Sequence, residues 1–161
     1  MAKIKIVVSV INPIPPVPPG PDPTTMGDEL FFTEDVVLKQ YKGKTPGHGL
    51  PKKEEEDRFA GTHSTVLTLM RIAGPGDRFF QLATFVFQYV ATYRFNDLAK
   101  TPLKKGQITA QGVLMFDSSG NRLDLPHHFA ITGGTDIYAK ARGEVLELHN
   151  TSEDREFRLV L

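Results

Sequence analysis

Apolar and polar residues alternate with a period of two along most of the chain, and no stretch keeps the spacing of a long amphipathic helix. Lys3-Ile4-Lys5-Ile6, running on through Val7-Val8-Ser9-Val10-Ile11, predicts a first strand. Glu29–Lys39, rich in Phe and Val, predicts a second. Phe59–Ile72 and Asp77–Val90 flank the turn signal Ala73-Gly74-Pro75-Gly76 and predict a hairpin, whose second arm Val90–Arg94 extends. Gln107–Phe116 and Leu125–Thr132 flank Asp117-Ser118-Ser119-Gly120-Asn121, a second hairpin signal. Strands from about Tyr138 to His149 and from Arg155 to Leu161 bring the number to about eight. Short strands of this number, with no convincing helix, mean a barrel or a sandwich. An eight-stranded barrel can be filled by its own side chains or can hold one small ligand.

Two segments break the alternation. Asn12–Pro23 holds seven prolines in twelve residues, so it can be neither helix nor central strand. Residues 13–23 predict an extended, polyproline-like connection across the barrel mouth or its outer wall. A plain linker or a proline-recognition ligand would read the same way. Gly43–Asp57 is a loop of fifteen residues punctuated by Gly43, Pro46, Gly47, Gly49 and Pro51, long enough to suspect a functional flap. A further loop covers Asn96–Lys105. No boundary divides the chain, and residues 1–161 read as a single domain.

Composition removes several classes of function. Lys+Arg and Asp+Glu are both 19, with no dense basic stripe, which argues against nucleic acid or an anionic membrane as the partner. The nearest charge run, Lys52-Lys53-Glu54-Glu55-Glu56-Asp57-Arg58, mixes both signs and reads as a solvated loop. The absence of cysteine excludes disulfides, thiol nucleophiles and zinc–thiolate sites. The apolar run Ile6–Ile11 is shorter than the about 7–15 residues of a secretory core, and no segment approaches the ~18 apolar residues of a membrane span. The expectation is a soluble, cytoplasmic protein.

An apolar strand enters Gly133-Gly134, leaves through Thr135-Asp136-Ile137-Tyr138, and resumes after Ala141-Arg142-Gly143. Paired glycines allow positive φ and close backbone approach, as a sharp barrel corner needs. The run Phe129–Val145 closely resembles the C-terminal signature shared by allene oxide cyclases and plant dirigent proteins. Gly27-Asp28-Glu29-Leu30-Phe31-Phe32-Thr33 resembles the opening of the second strand in allene oxide cyclases. Asp77-Arg78-Phe79 with Phe85 and Phe87 resembles their central hairpin arm, and Gly106 through Gln111-Gly112 the strand before the corner. The resemblance runs over roughly Gly27 to Leu148.

It implies an eight-stranded antiparallel β-barrel with a hydrophobic cavity, commonly a trimer, with no metal or organic cofactor. It also implies stereochemical control over a substrate that is already reactive, by ring closure, coupling or cyclisation. Two departures stand out. The glutamate of the first strand of allene oxide cyclases falls on Val10, although their asparagine is kept as Asn12. The second arginine of the dirigent motif falls on Ala139.

The candidate chemistry follows from residue type and phase. Arg142 could present a fixed charge into the barrel, with Asp136 as a general acid or its orienting partner; an Arg–Asp pair that pins the turn reads the same residues structurally. Tyr89 and Tyr93 are four residues apart, hence on one face, where a phenol could donate to a polarised carbonyl or serve only in packing. Glu34 and Asp35 are adjacent, so a regular strand points one of them inward, where a carboxylate among apolar groups has a raised pKa; a bulge would turn both out. His63 could face the cavity as a base or donor, or be a buried structural histidine. Five histidines show no metal-ligand spacing, and His127-His128 point to opposite faces of a strand.

Phe32, Phe85 and Phe87 are candidate substrate-lining residues. Phe79, Phe80, Phe85 and Phe87 together predict apolar side chains on both faces of one strand, and a subunit interface is the simplest cover for the outer set.

The expectation is therefore a cofactor-independent cyclase or isomerase acting on a hydrophobic unsaturated biosynthetic intermediate, with polar groups drawn from Asn12, Glu34, Tyr89, Asp136 and Arg142. A homo-oligomer, by resemblance a trimer, is expected. A lipocalin-like carrier that catalyses nothing would need the same dry cavity. A solidly packed barrel serving only as an assembly partner is the third possibility.

Overall fold

The computed structural model describes residues 3–11, 26–38, 59–74, 85–97, 103–117, 119, 123, 126–147 and 154–161. Asn12, the 13–23 segment, the Gly43–Asp57 loop and residues 77–84 of the expected hairpin arm lie outside the described residues. Eight strands, β1 (Lys3–Ile11), β2 (Glu29–Leu38), β3 (Phe59–Ile72), β4 (Phe85–Phe95), β5 (Gly106–Phe116), β6 (His127–Gly134), β7 (Arg142–Glu147) and β8 (Asp154–Val160), form a closed barrel. Every neighbouring pair is antiparallel, and β8 returns to pair with β1. Among the described residues no helix is long and apolar enough to cross a membrane.

Strand bounds agree with the alternation except at the corner. Asp136–Tyr138 forms a single 3-10 turn, so β7 starts at Arg142 instead of near Tyr138. The reason is local. Asp136 takes a left-handed φ of 53°, a conformation Asp tolerates better than most residues, and that ends the extended chain.

The corner glycines work differently from expectation. Neither Gly133 nor Gly134 has positive φ; among the described glycines that conformation falls on Gly27, Gly61, Gly106 and Gly143. Gly134 is needed for closeness: a Cβ there would lie 2.5 Å from the carbonyl oxygens of Gln107 and Tyr138.

Cross-strand registry fixes what faces inward. Val10↔Val36, Glu34↔His63, His63↔Tyr93 and Tyr93↔Ile108 are direct partners, so these side chains share the inner face. The same holds for Val145↔Phe157 and Phe157↔Ile6. On β4 every odd position from Phe85 to Phe95 points inward; Phe87 through Phe95 are buried and Phe85 is half-buried.

One end of the barrel is packed solid. Phe95 meets Phe157 edge to face at 5.4 Å and lies 5.9 Å from the ring of Tyr138, which caps this end beneath the 3-10 turn. The Tyr138 hydroxyl donates to the Lys104 carbonyl and accepts from the Lys104 amide, and burial raises its pKa. The other end is looser. Leu30, Phe85 and Phe116 are only half-buried, and Phe32 is exposed.

Gly61 (φ +152°) and Gly143 (φ +132°) let β3 and β7 lie against their neighbours. A Cβ would sit 1.8 Å from the Arg94 oxygen at the first and 1.9 Å from the Arg158 oxygen at the second. Backbone, not a yielding side chain, stands in the way. Gly143→Ala is expected to destabilise the barrel by more than about 1 kcal/mol, seen as a lower urea midpoint. An unchanged midpoint would mean that β7 pairs differently from this register.

Candidate functional site

A chain of polar side chains crosses the barrel at mid-height. It starts on β2, where the regular strand turns Glu34 inward; the only irregularity in its pairing with β3 falls later, between Val36 and Val37. Glu34 Oε2 lies 2.8 Å from His63 Nδ1. The His63 Nε2 lies 2.6 Å from Thr65 Oγ1 and 3.0 Å from the Tyr89 hydroxyl. Tyr89 and Tyr93 hydroxyls are 2.8 Å apart, because four residues of β4 place both on one face with only Ala91 between them. Tyr93 in turn hydrogen-bonds Arg155 of β8. Beyond it, Arg155 Nη2 approaches Glu147 Oε2 at 3.7 Å, and His127 Nδ1 approaches the same oxygen at 3.6 Å.

The end groups give this chain a direction. A guanidinium carries only donors and a carboxylate only acceptors. Arg155 therefore donates to the Tyr93 oxygen, Tyr93 donates to Tyr89, Tyr89 donates to His63 Nε2, and His63 Nδ1–H donates to Glu34. Thr65 supplies a second hydrogen to Nε2. His63 is thereby held as the neutral tautomer with its basic nitrogen turned toward the phenols, oriented by a carboxylate behind it.

Burial governs the charge states. His63 is 2% exposed, and desolvation, outweighing the hydrogen bond it donates to Glu34, lowers its pKa below the usual 6.5. Tyr93 is fully buried, and that burial, reinforced by the neighbouring Tyr89, raises its pKa well above 10.0, so it stays a phenol. Desolvation would lower Arg155, but Tyr93, Tyr89 and Glu34 together hold its pKa above the ordinary value. Among its described members the chain reaches solvent at the Glu34 side chain, which is 21% exposed and stands on β2 just before the stretch that pairs with β1.

Aromatic packing fixes the phenols. Phe129 stacks on Tyr89 at 4.0 Å, in space that Gly112 provides: a Cβ on Gly112 would lie 2.7 Å from the Phe129 ring. The His63 ring stacks on Tyr93 at 4.5 Å, and Phe157 meets Tyr93 edge to face at 4.8 Å.

The structure brings Glu34, His63 and Tyr89 together, with Phe87 buried and Phe85 half-buried on the same inner face toward the looser end. Phe32 shares that face and stands at the rim. The other candidates fall elsewhere. Asn12 is outside the described residues. Arg142 is exposed, with Nη1 on the carbonyl of Ala141, because its neighbour Gly143 pairs with inward Leu159 and the alternation turns Arg142 out. Asp136 is exposed in the 3-10 turn and accepts from the Thr135 hydroxyl. The expectation that Arg142 presents its charge into the barrel is thus corrected: the inward arginine is Arg155. Tyr93 joins the network on the face it was expected to share with Tyr89. Arg155, Thr65 and Glu147 are further members, and their signal was phase, each standing two or four residues from an inward apolar or aromatic residue of its own strand. His127 and His128 point to opposite faces, the first buried and the second exposed beside Glu144. Among the described residues no three His, Asp or Glu side chains converge where a metal ion could sit.

No family model matches the sequence, and no curated protein matches it. Among solved structures the chain is similar in fold to pyocyanin demethylase, with a TM-score of 0.57 over 98% of this chain and 100% of that one, at 18% identity. That likeness shows the barrel fold alone. The narrower resemblance to allene oxide cyclases and dirigent proteins rests on the sequence motifs.

Two measurements probe the network. The folded pKa of His63 lies below the unfolded value, so between the two the unfolded chain binds the extra proton. Its contribution to stability is complete above about pH 6.5 and is lost as pH falls through the folded pKa. Urea denaturation between about pH 7.5 and about pH 5 should show that decline, and His63→Gln should flatten it; an unchanged slope in the variant would mean His63 is not buried neutral. Tyr93→Phe removes the link between Arg155 and Tyr89 and should cost about 1–3 kcal/mol in the same assay.

Proposed function

We propose that the protein is a cofactor-independent isomerase or cyclase that moves a proton within a hydrophobic, unsaturated substrate and thereby directs one stereochemical outcome. The observation that carries the reading is the buried Glu34–His63–Tyr89–Tyr93 chain, which sets a neutral imidazole beside a phenol at 3.0 Å. Once the Tyr89 and Thr65 hydroxyls turn their hydrogens away from it, His63 Nε2 accepts a proton from a carbon next to a carbonyl or epoxide while the Tyr89 O–H donates to the substrate oxygen. The imidazolium then returns its proton to the Tyr89 oxygen. With a β,γ-unsaturated ketone one C–H bond breaks and one O–H bond forms, and return of a proton to the γ carbon with loss of the enol O–H proton completes the isomerisation. With an epoxide the ring C–O bond breaks as the O–H bond forms. In both cases the protein groups end as they began. Where the enol so formed carries a second reactive centre, ring closure follows from its held conformation. The balance calls for no oxidant, reductant or cofactor.

The half-buried Leu30, Phe85 and Phe116, with exposed Phe32, supply an apolar rim at the looser end. An enzyme of like barrel fold, pyocyanin demethylase, is in keeping with catalysis in such a scaffold. The test is product chirality and solvent-deuterium incorporation with a panel of β,γ-unsaturated ketones and unsaturated epoxides. Enantiomeric excess and deuterium wash-in should both appear, and His63→Gln should reduce the rate about 10²–10⁴-fold. Racemic product at an unaltered rate would make the protein a carrier instead.

The same proposal includes self-assembly, with a trimer favoured by the family resemblance. Phe31, Val66 and Val90 are direct neighbours across β2, β3 and β4 on the outer face, and Phe31 is 70% exposed. Val90→Lys should lower the mass measured by light scattering to that of one chain. A wild-type protein that already runs as a monomer would remove this part of the proposal.

A further inference from the structure

His63 Nε2 has one lone pair and two hydroxyl donors, Thr65 at 2.6 Å and Tyr89 at 3.0 Å. One donor is enough to satisfy it. Tyr89 can therefore turn its hydrogen to another acceptor without leaving a buried nitrogen unpaired, since Thr65 keeps its place. Behind Tyr89 the direction of donation does not change: Arg155 still donates to Tyr93 and Tyr93 still donates to the Tyr89 oxygen. Each donor in the row polarises the next, so the Tyr89 O–H is a stronger donor than an isolated phenol. Burial keeps Tyr93 protonated and Arg155 charged, which preserves this arrangement across ordinary pH.

We infer that the Arg155–Tyr93–Tyr89 row is a binding site for a single anionic or strongly polarised oxygen on a planar conjugated guest, that is, a phenolate or an enolate. Two features select that class over a carboxylate. The row ends in one O–H, which meets one oxygen, whereas a carboxylate brings two oxygens into a place with a single free hydrogen. The surroundings are aromatic, with Phe129 stacked on Tyr89, Phe87 on the same inner face, and Phe116 packed edge-on against Phe87 at 5.7 Å. A charge spread over a conjugated frame loses less hydration there than a localised one. Glu34 and Glu147 oppose an anion, so the site favours an oxygen whose charge is spread over the guest's conjugated frame rather than held on one atom.

The inference deepens the functional reading and shares its location inside the barrel, but it concerns equilibrium binding and can be tested without turnover. Para-nitrophenol, whose phenolate absorbs in the visible, is titrated with the full-length protein across pH. Bound ligand should ionise at lower pH than free ligand, and Tyr89→Phe should weaken phenolate binding about tenfold, the loss of one hydrogen bond to a charged acceptor. Glu34→Gln should bind the phenolate more tightly than the unaltered protein, because a negative charge facing the guest is gone. If Tyr89→Phe does not fold, Tyr93→Phe interrupts the same row and should weaken binding several-fold.

The inference is overturned if nitrophenol does not bind, if bound ligand ionises at or above the pH of free ligand, or if the phenylalanine variant that folds binds as tightly as the unaltered protein. Phenolate binding without stereoselective turnover would leave this site standing and remove the isomerase reading. Stereoselective turnover without phenolate binding would do the reverse.

Discussion

A guanidinium in the middle of a barrel is the constraint to which the rest of the interior answers. Taking a charge out of water costs several kcal/mol even after relaxation, so a buried arginine persists only where acceptors surround it. Arg155 has Glu147 on one side and Tyr93 on the other. Because it can only donate, it sets the polarity of everything hydrogen-bonded downstream. Tyr93, Tyr89 and His63 each accept from one side and give to the other, and the row ends at the first group that can only accept, Glu34. Glu34 imposes the same order from the other end: His63 Nδ1 must donate to it, so the neutral Nε2 must accept from Tyr89 and Tyr89 from Tyr93.

The barrel supplies the frame in which such a row can exist. Closure of β8 on β1 pairs Val8 with Arg155 and Ile6 with Phe157, which fixes the phase of the last strand against the first. A slip of one residue would carry Arg155 to the outside and bring Glu156 in. Solid packing of Phe95, Tyr138 and Phe157 at one end then shields the row from that direction. Glu34, on the part of β2 that precedes its pairing with β1, keeps partial contact with water. The interior is therefore asymmetric: sealed behind the phenols, approachable in front of the carboxylate. It is also less greasy than alternation alone suggests, since Arg155, Glu147, His127 and His63 are all buried.

Period-two alternation was enough to read the strands and their number, because each strand has one face buried. It left a barrel or a sandwich open, and the closed antiparallel barrel was what the family resemblance implied. Alternation was also enough to place Tyr89 with Tyr93 and to turn one of Glu34 and Asp35 inward. Two things were out of its reach. Partners across strands depend on register, which no single segment encodes; the Glu34↔His63 pairing joins residues that are 29 positions apart. Chemistry was sought at the Gly133–Gly143 corner because glycine and charge crowd together there. Those glycines answer to backbone crowding, and Arg142 and Asp136 stay at the surface of a capped end. Arg155 could have been found by counting back two residues from Phe157 and four from Leu159 on the same strand. A charged residue on the apolar face of a strand is costly enough to be worth that count.

The network also bears on whether the barrel only holds a guest or works on it. A carrier for an apolar molecule is best served by an apolar lining, and each buried polar group it adds has to be satisfied at the expense of stability. This barrel buries an imidazole, two phenols and a guanidinium in one connected row that ends on a half-buried carboxylate. Their arrangement is not symmetric, as a purely structural network could be. On the proposed reading, His63 is the base and Tyr89 the polarised acid beside it. Proton transfer needs that asymmetry and simple retention does not. The proposed function also says where specificity would lie: the row would decide which atom of a guest is held, and the apolar rim from Leu30 to Phe116 which way the remainder points.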